Sequence, residues 1–113
     1  MFKNFLVVDI PYLDGSGYKI RPVVQLTDML DEHGNFQVAY VTSKMPSQPY
    51  PTDILVDTTH TDFNQTGLSV KSMVRTSKIY TVNQTHVQGL LGILPPDLSL
   101  LLDRALKYQF KLN

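Results

Sequence analysis

The sequence predicts a mainly β protein of the α+β class: a small, strongly bent antiparallel sheet or barrel capped by a C-terminal helix. Short runs rich in β-branched and aromatic residues recur at close spacing between polar turns of Gly, Asp, Asn and Pro, a pattern typical of a small sheet or barrel. The end of the chain instead repeats its apolar residues with a helical period. Together these two patterns favour one compact β unit with a single helix.

Length and composition limit the function. The chain has 113 residues, which predicts a single domain over residues 1–113. A domain of this size can bury enough apolar surface to fold without disulfide bonds. It has no cysteine, which excludes disulfides, thiolate nucleophiles and zinc-thiolate sites. Ten basic and ten acidic residues give no net charge, which argues against nonspecific coating of nucleic acid but permits a local basic groove.

The start of the chain does not have the pattern of a targeting segment. The run Met1–Val8 has one lysine, and Asp9 interrupts its apolar stretch. A signal peptide needs a longer apolar region and a small-residue cleavage site, and a membrane span needs about 20 apolar residues. We therefore expect a soluble, cytoplasmic protein without a membrane partner.

Five or more short strands follow from the β-prone runs. Pro11 and the turn Asp14–Gly17 close the first run, since proline and glycine interrupt strands. Three prolines exclude regular structure from Ser43–Pro51, which is either a mobile loop or a lid. Further loops are expected over Asp28–Asn35 and Thr58–Gly67. The predicted strands are Phe5–Ile10, Arg21–Leu26, Phe36–Thr42, Asp53–Asp57 and two runs within Leu68–Val82, which a bend or bulge separates near Ser77 and Lys78.

A helix is predicted after Pro95 and Pro96. Proline suits the first turn of a helix, and Asp97 is favourable near the positive end of the helix dipole. The apolar residues that follow recur at helical spacing, which predicts a stripe packed on the core rather than a membrane or cofactor surface. This stripe contains Leu98, Leu101, Leu102, Ala105, Leu106 and Phe110.

Hydroxyl and cationic residues collect at the predicted strand ends. Asp14–Leu26 taken alone fits an ordinary hairpin with two solvated charges, but two further clusters resemble it in composition. Six of the ten basic residues lie in or beside these clusters, which predicts a basic groove on a neutral protein. The clusters are Lys19 and Arg21; Thr42, Ser43 and Lys44; and Ser72, Arg75, Ser77 and Lys78, with Lys71 beside the last.

The order of short motifs along the chain resembles the MazF/PemK (Kid) family of toxin endoribonucleases. Each motif is weak alone, but six occur in register over nearly the whole chain. They are Gly15-Ser16 with Arg21-Pro22-Val23-Val24, Thr42-Ser43, Tyr50-Pro51-Thr52-Asp53, Ser72-Met73-Val74-Arg75, Thr81-Val82, and Gly92-Ile93-Leu94 ahead of the helix.

The resemblance implies an SH3-like barrel and the toxin of a type II toxin-antitoxin system. Such a toxin is a homodimer that cleaves single-stranded RNA at specific sequences without a metal or other cofactor. The 2′-hydroxyl attacks its own phosphodiester and leaves a cyclic phosphate and a 5′-hydroxyl. The implied partners are single-stranded RNA and a cognate antitoxin, with DNA binding alongside that antitoxin.

The resemblance also assigns roles to individual residues. Arg21 matches the family arginine that precedes proline, Thr42 or Ser43 match the hydroxyls on the scissile phosphate, and Arg75 matches an arginine used as acid or phosphate clamp. Guanidinium fits phosphate through two parallel hydrogen bonds, which suits both arginines. The remaining expected substrate contacts are Ser16, Lys19, Lys44, Ser77 and Lys78.

The chain departs from the family where proton transfer is performed. Gly17 stands where many members carry Glu, Ser77 stands where the Kid branch places its acidic base, and Tyr40 replaces a frequent proline. Serine is a poor general base at neutral pH. Histidine titrates in that range, so the candidates for the base are His33, His60 and His86, with His60 preferred because it precedes the Arg75 strand. Isolated histidines predict no metal site.

Two other readings stay open at this stage. The departures permit a non-catalytic binding module on the same fold, recognising RNA or a protein as related gyrase poisons do. A purely structural barrel is the third reading, and it predicts no RNA affinity. Three loop tyrosines either stack unpaired bases or close the edge of the core. These are Tyr12, Tyr18 and Tyr50.

Overall fold

The computed structural model describes residues 3–12 and 14–112, so Met1 and Phe2 of the apolar start, Leu13 of the first loop and the terminal Asn113 lie outside the description. The described chain is mainly β with one C-terminal helix, as the sequence predicts. The strands are β1 (Asn4–Pro11), β2 (Tyr18–Gln25), β3 (Asn35–Thr42), β4 (Asp53–Val56), β5 (Ser72–Asn83) and β6 (Val87–Ile93), and the helix is α1 (Pro96–Phe110).

All six strands join one antiparallel sheet in the order β4-β5-β3-β2-β1-β6. Consecutive strands from β1 to β3 pair with one another, and β6 returns to pair with β1. In the pairings described, β4 and β6 are the two edges, so the SH3-like sheet is bent but open. The helix contacts β4 and β5, at one side of this opening.

The bend gives the central strands two buried faces. On β3, Phe36 and Val38 belong to one apolar cluster, whereas Ala39 and Val41 belong to the second cluster, beneath the helix. All four side chains are nearly inaccessible to water. Burial on both faces is what a small barrel-like sheet requires, and it explains why apolar side chains occur on both faces of β3.

A bulge interrupts β5 where the sequence predicts a bend or bulge. Ala39 of β3 pairs with Ile79, whereas the next residue, Tyr40, pairs with Arg75, so residues 76–78 bulge out of the ladder. The helix holds this bulge in place. The Thr76 hydroxyl donates to Gln109 Oε1 at 2.8 Å, and Gln109 Nε2 donates to the Thr76 carbonyl at 2.8 Å.

Several boundaries differ from the prediction. β2 begins three residues earlier, at Tyr18, and β4 ends at Val56. Residues 68–71 lie outside β5, which is one continuous twelve-residue strand. The sequence did not indicate β6, because its two glycines, Gly89 and Gly92, weaken a strand pattern, and its pairing with β1 is a long-range contact. The loop 58–67 contains a short 3₁₀ turn, Phe63–Thr66.

The helix buries a narrower face than predicted. Leu98, Leu102 and Ala105 are buried, and Leu106 packs against the same cluster. Core positions for Leu101 and Phe110 are wrong, because these side chains are 45% and 55% exposed. The helix meets the sheet along one stripe, and both residues lie at its margins. No helix within residues 3–12 and 14–112 is long and apolar enough to cross a membrane.

Candidate functional site

Two adjoining hollows lie where β2, β3 and β5 come together. The first contains Arg21 and the hydroxyl residues Thr42, Ser43, Ser69 and Ser72, with apolar walls from Pro22, Val41, Leu68 and Val70. The second contains Tyr40, Lys44, Arg75 and Lys78, with Met45, Pro46 and Ser47 from the proline-rich loop. Thr42 lines both, so we treat them together and call them the groove.

Tyr40 lines the second hollow and contacts Arg21 of the first. Arg21 Nη1 donates a hydrogen bond to the Tyr40 hydroxyl oxygen at 2.6 Å, and the guanidinium carbon lies 5.1 Å from the ring centroid. Lys78 Nζ lies 5.2 Å from the same centroid. Cations over an aromatic ring are attracted to its negative face, so one tyrosine holds a cation from β2 and another from the β5 bulge.

Arg75 is fixed by a buried carboxylate. Its Nε and Nη2 donate to the two oxygens of Asp53 at 3.2 and 3.3 Å, and the Asp53 side chain is 1% exposed. The Tyr50 backbone N–H donates to the same carboxylate at 2.8 Å, and the Tyr50 ring lies 5.0 Å from the guanidinium carbon. This two-point attachment sets the orientation of Arg75 and leaves Nη1 free of the carboxylate.

The hydroxyl residues are held by local turns. Thr42 Oγ1 accepts the Lys44 backbone N–H at 3.1 Å, which turns the chain at the end of β3 and carries Lys44 into the groove. Ser72 Oγ donates to the Val70 carbonyl at 2.9 Å. Such side-chain contacts to nearby backbone are characteristic of Ser and Thr at strand ends.

The sequence profile of one protein family matches residues 4–110, nearly the whole chain. That family is described as the PemK-like, MazF-like toxin of type II toxin-antitoxin systems. This chain belongs to that family. No curated protein sequence gives a significant match to the chain.

Two solved structures resemble this PemK/MazF family member in fold. The first is the Mycobacterium tuberculosis toxin MazF-mt6, with a TM-score of 0.71 and 23% identity over 97% of this chain and 98% of that one. The second is described as an endoribonuclease in complex with its cognate antitoxin from Mycobacterial species, with a TM-score of 0.74 and 14% identity over 97% of this chain and 93% of that one. The resemblance to the MazF/PemK fold is confirmed.

The structure of this toxin-family chain brings most of the predicted site residues together. Six lie in the groove: Arg21, Thr42, Ser43, Lys44, Arg75 and Lys78. Three line neither hollow. Lys19 lies on β2 opposite Ile10, Ser16 lies in the first turn, and Ser77 is exposed on the bulge. The Ser16 backbone N–H bonds Asp14, and hydrogen bonds from Ser16 lower the pKa of that carboxyl.

Both ring nitrogens of His60 form hydrogen bonds outside the groove. Its Nδ1 accepts the Asp62 backbone N–H at 3.0 Å, and its Nε2 lies 2.9 Å from Asp97 Oδ2 at the start of the helix. The hydrogen bond from His60 lowers the pKa of Asp97. With both ring nitrogens occupied, His60 stabilises the junction between loop and helix, so the preference for it as the base is not supported.

The other two histidines are also outside the groove lining. His33 is exposed beside Glu32, and the His86 ring lies 5.9 Å from the Tyr18 ring. Tyr50 does lie beside a basic residue, but its ring faces the Arg75 guanidinium. In this structure the ring therefore packs against Arg75, a contact that neither base stacking nor closure of the core edge had suggested.

Sequence reasoning missed Tyr40 and Asp53 as site residues. In the sequence Tyr40 is only a strand residue and a departure from the family pattern, yet its position two residues before Thr42 places both side chains on the same side of β3. Asp53 belongs to the motif Tyr50–Asp53, which assigns it no role. Neither its burial nor its pairing with Arg75 is visible before β4 and β5 are aligned.

The groove carries a positive potential. Four cationic side chains line it: Arg21, Lys44, Arg75 and Lys78. The buried carboxylate of Asp53, paired with Arg75, offsets one of these charges. Within residues 3–12 and 14–112 no cluster of three or more His, Cys, Asp or Glu side chains could hold a metal ion. An arrangement of guanidinium, ammonium and hydroxyl groups suits a phosphate ester.

Proposed function

We propose that this chain is an endoribonuclease toxin that cleaves single-stranded RNA at specific sequences without a metal ion. One observation carries the proposal. Arg21, Thr42 and Ser43 line one hollow, and the oriented Arg75 lies in the adjoining hollow, so two guanidiniums flank a row of hydroxyls. Membership in the toxin family supports it, as does the endoribonuclease description of the second structural neighbour.

In the proposed reaction, the ribose 2′-oxygen attacks the adjacent phosphorus and the 5′-oxygen departs. Negative charge builds on the non-bridging oxygens in the transition state. Donors that are already oriented toward that charge lower the barrier, because they need no reorganisation. We assign this role to Arg21 and Arg75, with Thr42 and Ser43 orienting the phosphate. The products are a 2′,3′-cyclic phosphate and a 5′-hydroxyl.

The remaining predicted contacts extend the site along the RNA. Lys44 and Lys78 lie in the groove and attract neighbouring phosphates, which makes binding depend on salt. Lys19, Ser16 and Ser77 lie outside its lining, and we propose that they contact the RNA farther from the scissile phosphate. The loop 43–51 forms part of the groove wall, so we assign sequence preference to it.

The proposed partners follow the family and the second structural neighbour, which is described as a complex with a cognate antitoxin. We propose that this chain acts as a homodimer in the cytoplasm and that an antitoxin covers the groove with an acidic or apolar segment. An acidic segment is complementary in charge to the four groove cations. DNA binding would occur in the complex with that antitoxin.

The test compares the wild-type protein with Arg21→Ala on a long single-stranded RNA in EDTA, with product ends mapped. We expect cleavage at a short recurring sequence with 5′-hydroxyl ends, and a loss in the variant of about 10²–10³-fold in rate. Arg104→Ala is the matched control, because Arg104 lies on α1 beside β4, outside the groove. Intact RNA with the wild-type protein would refute the proposal.

A non-catalytic binding module is the second candidate. The absence of a carboxylate among the described residues that line the groove favours it, because Gly17 and Ser77 stand where acidic residues are common. This candidate predicts that the wild-type protein binds the RNA with salt-dependent affinity, that Arg21→Ala weakens binding, and that neither protein cuts it.

A further inference from the structure

Cleavage of RNA through its 2′-oxygen needs a proton for the departing 5′-oxygen. A poorly stabilised alkoxide leaves slowly, and a positioned acid accelerates such a step by about 10²–10⁴-fold. The acidic positions common in the family hold Gly17 and Ser77 here, and His60 is bound to Asp97. Arg75 is paired with Asp53 and is assigned here to the phosphate, so another side chain of the groove must supply the proton.

Tyr40 is placed to supply it. Its hydroxyl oxygen accepts a hydrogen bond from Arg21 Nη1 at 2.6 Å. Arginine has donors and no acceptor, so the phenolic proton is not used in that bond. Because Tyr40 lines the same hollow as Thr42 and Arg75, this proton is available to a ligand held by the two arginines.

Cationic side chains surround the Tyr40 ring. Arg21 approaches from β2, and Lys78 approaches from the β5 bulge, with both cations over the ring. Arg75 on β5 and Lys44 after β3 line the same hollow. The Arg75 charge is partly offset by Asp53, so the nearest uncompensated neighbours of the phenol are cations.

We propose that Tyr40 is the general acid that protonates the leaving 5′-oxygen. The proposal rests on the proposed ribonuclease function. The bond between the 2′-oxygen and phosphorus forms while the bond between phosphorus and the 5′-oxygen breaks. The phenolic proton passes to the 5′-oxygen, and the 2′-hydroxyl proton passes to water. The phenolate regains a proton through water, which restores the enzyme and leaves a cyclic phosphate and a 5′-hydroxyl.

The test uses Tyr40→Phe and two RNA substrates of the same sequence, one natural and one with sulfur as the bridging 5′ atom. Phenylalanine keeps the ring that Arg21 and Lys78 cover and removes only the hydroxyl. A thiolate leaves without protonation, so a missing acid is not felt on the sulfur substrate. We expect a loss of about 10²-fold or more in kcat on natural RNA, and a far smaller loss on the sulfur substrate, where only the missing hydrogen bond to Arg21 has an effect.

Two controls separate this role from others. Arg21→Ala should be impaired on both substrates, because charge on the phosphoryl oxygens builds with either leaving group. Tyr108→Phe, an exposed helix residue, should match the wild type on both. Thermal unfolding of each variant verifies that it is folded.

Each alternative result is distinct. Equal impairment of Tyr40→Phe on both substrates would mean that the hydroxyl acts only by positioning Arg21, which overturns the proposal. Full activity of Tyr40→Phe on natural RNA would overturn it while leaving the ribonuclease function intact. A wild-type protein that cuts neither substrate refutes the ribonuclease function, and the role of Tyr40 falls with it.

Discussion

Replacing Asp53 with asparagine should destabilise the fold and slow cleavage without weakening RNA binding. In the wild-type protein one oxygen of Asp53 accepts Arg75 Nε, and the other accepts Arg75 Nη2 and the Tyr50 N–H. Asparagine retains one acceptor oxygen, so at least one charge-assisted bond to Arg75 is lost and an amide N–H₂ faces the guanidinium. The two-point attachment becomes a single one.

The magnitude follows from burial. A hydrogen bond to a charged group contributes about 1.5–3 kcal/mol, whereas leaving a fully buried charge unpaired costs about 3–5 kcal/mol. The Arg75 side chain is 15% exposed, so water reaches it and the higher range does not apply. We expect a loss of about 2 kcal/mol in the free energy of unfolding. For a domain of this size, that corresponds to a decrease in Tm of roughly 8 °C.

The assay pairs denaturant unfolding with two RNA measurements, cleavage of natural RNA and binding of an analogue lacking the attacking 2′-hydroxyl. Loss of the Asp53 charge makes the groove more positive, so affinity should stay equal or rise, whereas kcat should fall because Arg75 is no longer oriented. Asp57→Asn is the matched control, since Asp57 makes longer contacts, 3.3 and 3.5 Å, with its neighbours in sequence.

Two results would refute this reasoning. An unfolding free energy of Asp53→Asn within about 0.5 kcal/mol of the wild type, the range of ordinary surface changes, would show that the pair contributes no net stability. A parallel decrease in affinity and kcat would show that the substitution disturbs the groove as a whole rather than the orientation of Arg75.

Two further predictions concern the stability of the fold around the groove. Gly67 has a φ of +73°, and a Cβ there would overlap the Leu91 carbonyl oxygen, so Gly67→Ala should lower the free energy of unfolding by about 3 kcal/mol. A Cβ at Gly89 meets open space, so Gly89→Ala should change the unfolding free energy little in the same denaturant assay. The hydrogen bond from His60 lowers the pKa of Asp97, so this carboxylate stabilises the fold above its ordinary pKa and the benefit is lost as the pH falls through its folded value. The stability difference between wild type and Asp97→Asn should therefore shrink in acid, and a difference that grows on acidification would contradict the assignment.

The elements with strong local patterns were predictable. The helix begins at Pro96 because proline suits a first turn, and the apolar period that follows is long enough to exclude a strand. The β5 interruption was visible at Ser77 and Lys78, where the apolar alternation fails. β6 was not predictable, since Val87–Ile93 owes its pairing to β1 and carries two glycines. The burial of a side chain at the margin of a helix also depends on the shape of the sheet that the helix packs against. This is why Leu101 was wrongly predicted to be a core residue.

The candidate site was likewise predictable only in part. The cationic and hydroxyl residues could be selected because their chemistry is intrinsic to the side chain, and the motif order indicated that Arg21, Thr42 and Arg75 belong together. The partners of those residues could not be selected. Asp53 lies 22 positions from Arg75, and Tyr40 lies 19 positions from Arg21. Only the strand register determines which side chains face one another across such separations.

The sequence by itself therefore determined the class of fold, the family and most of the cationic and hydroxyl residues that line the groove, because periodicity, turn chemistry and motif order are local properties of the chain. Only the tertiary structure decided what orients the two arginines, showed that His60 lies outside the groove lining and brought the Tyr40 hydroxyl into contact with Arg21. Each of these depends on contacts between residues that are far apart in the sequence. They depend on the alignment of β2, β3, β4 and β5, which cooperative packing of the whole sheet establishes.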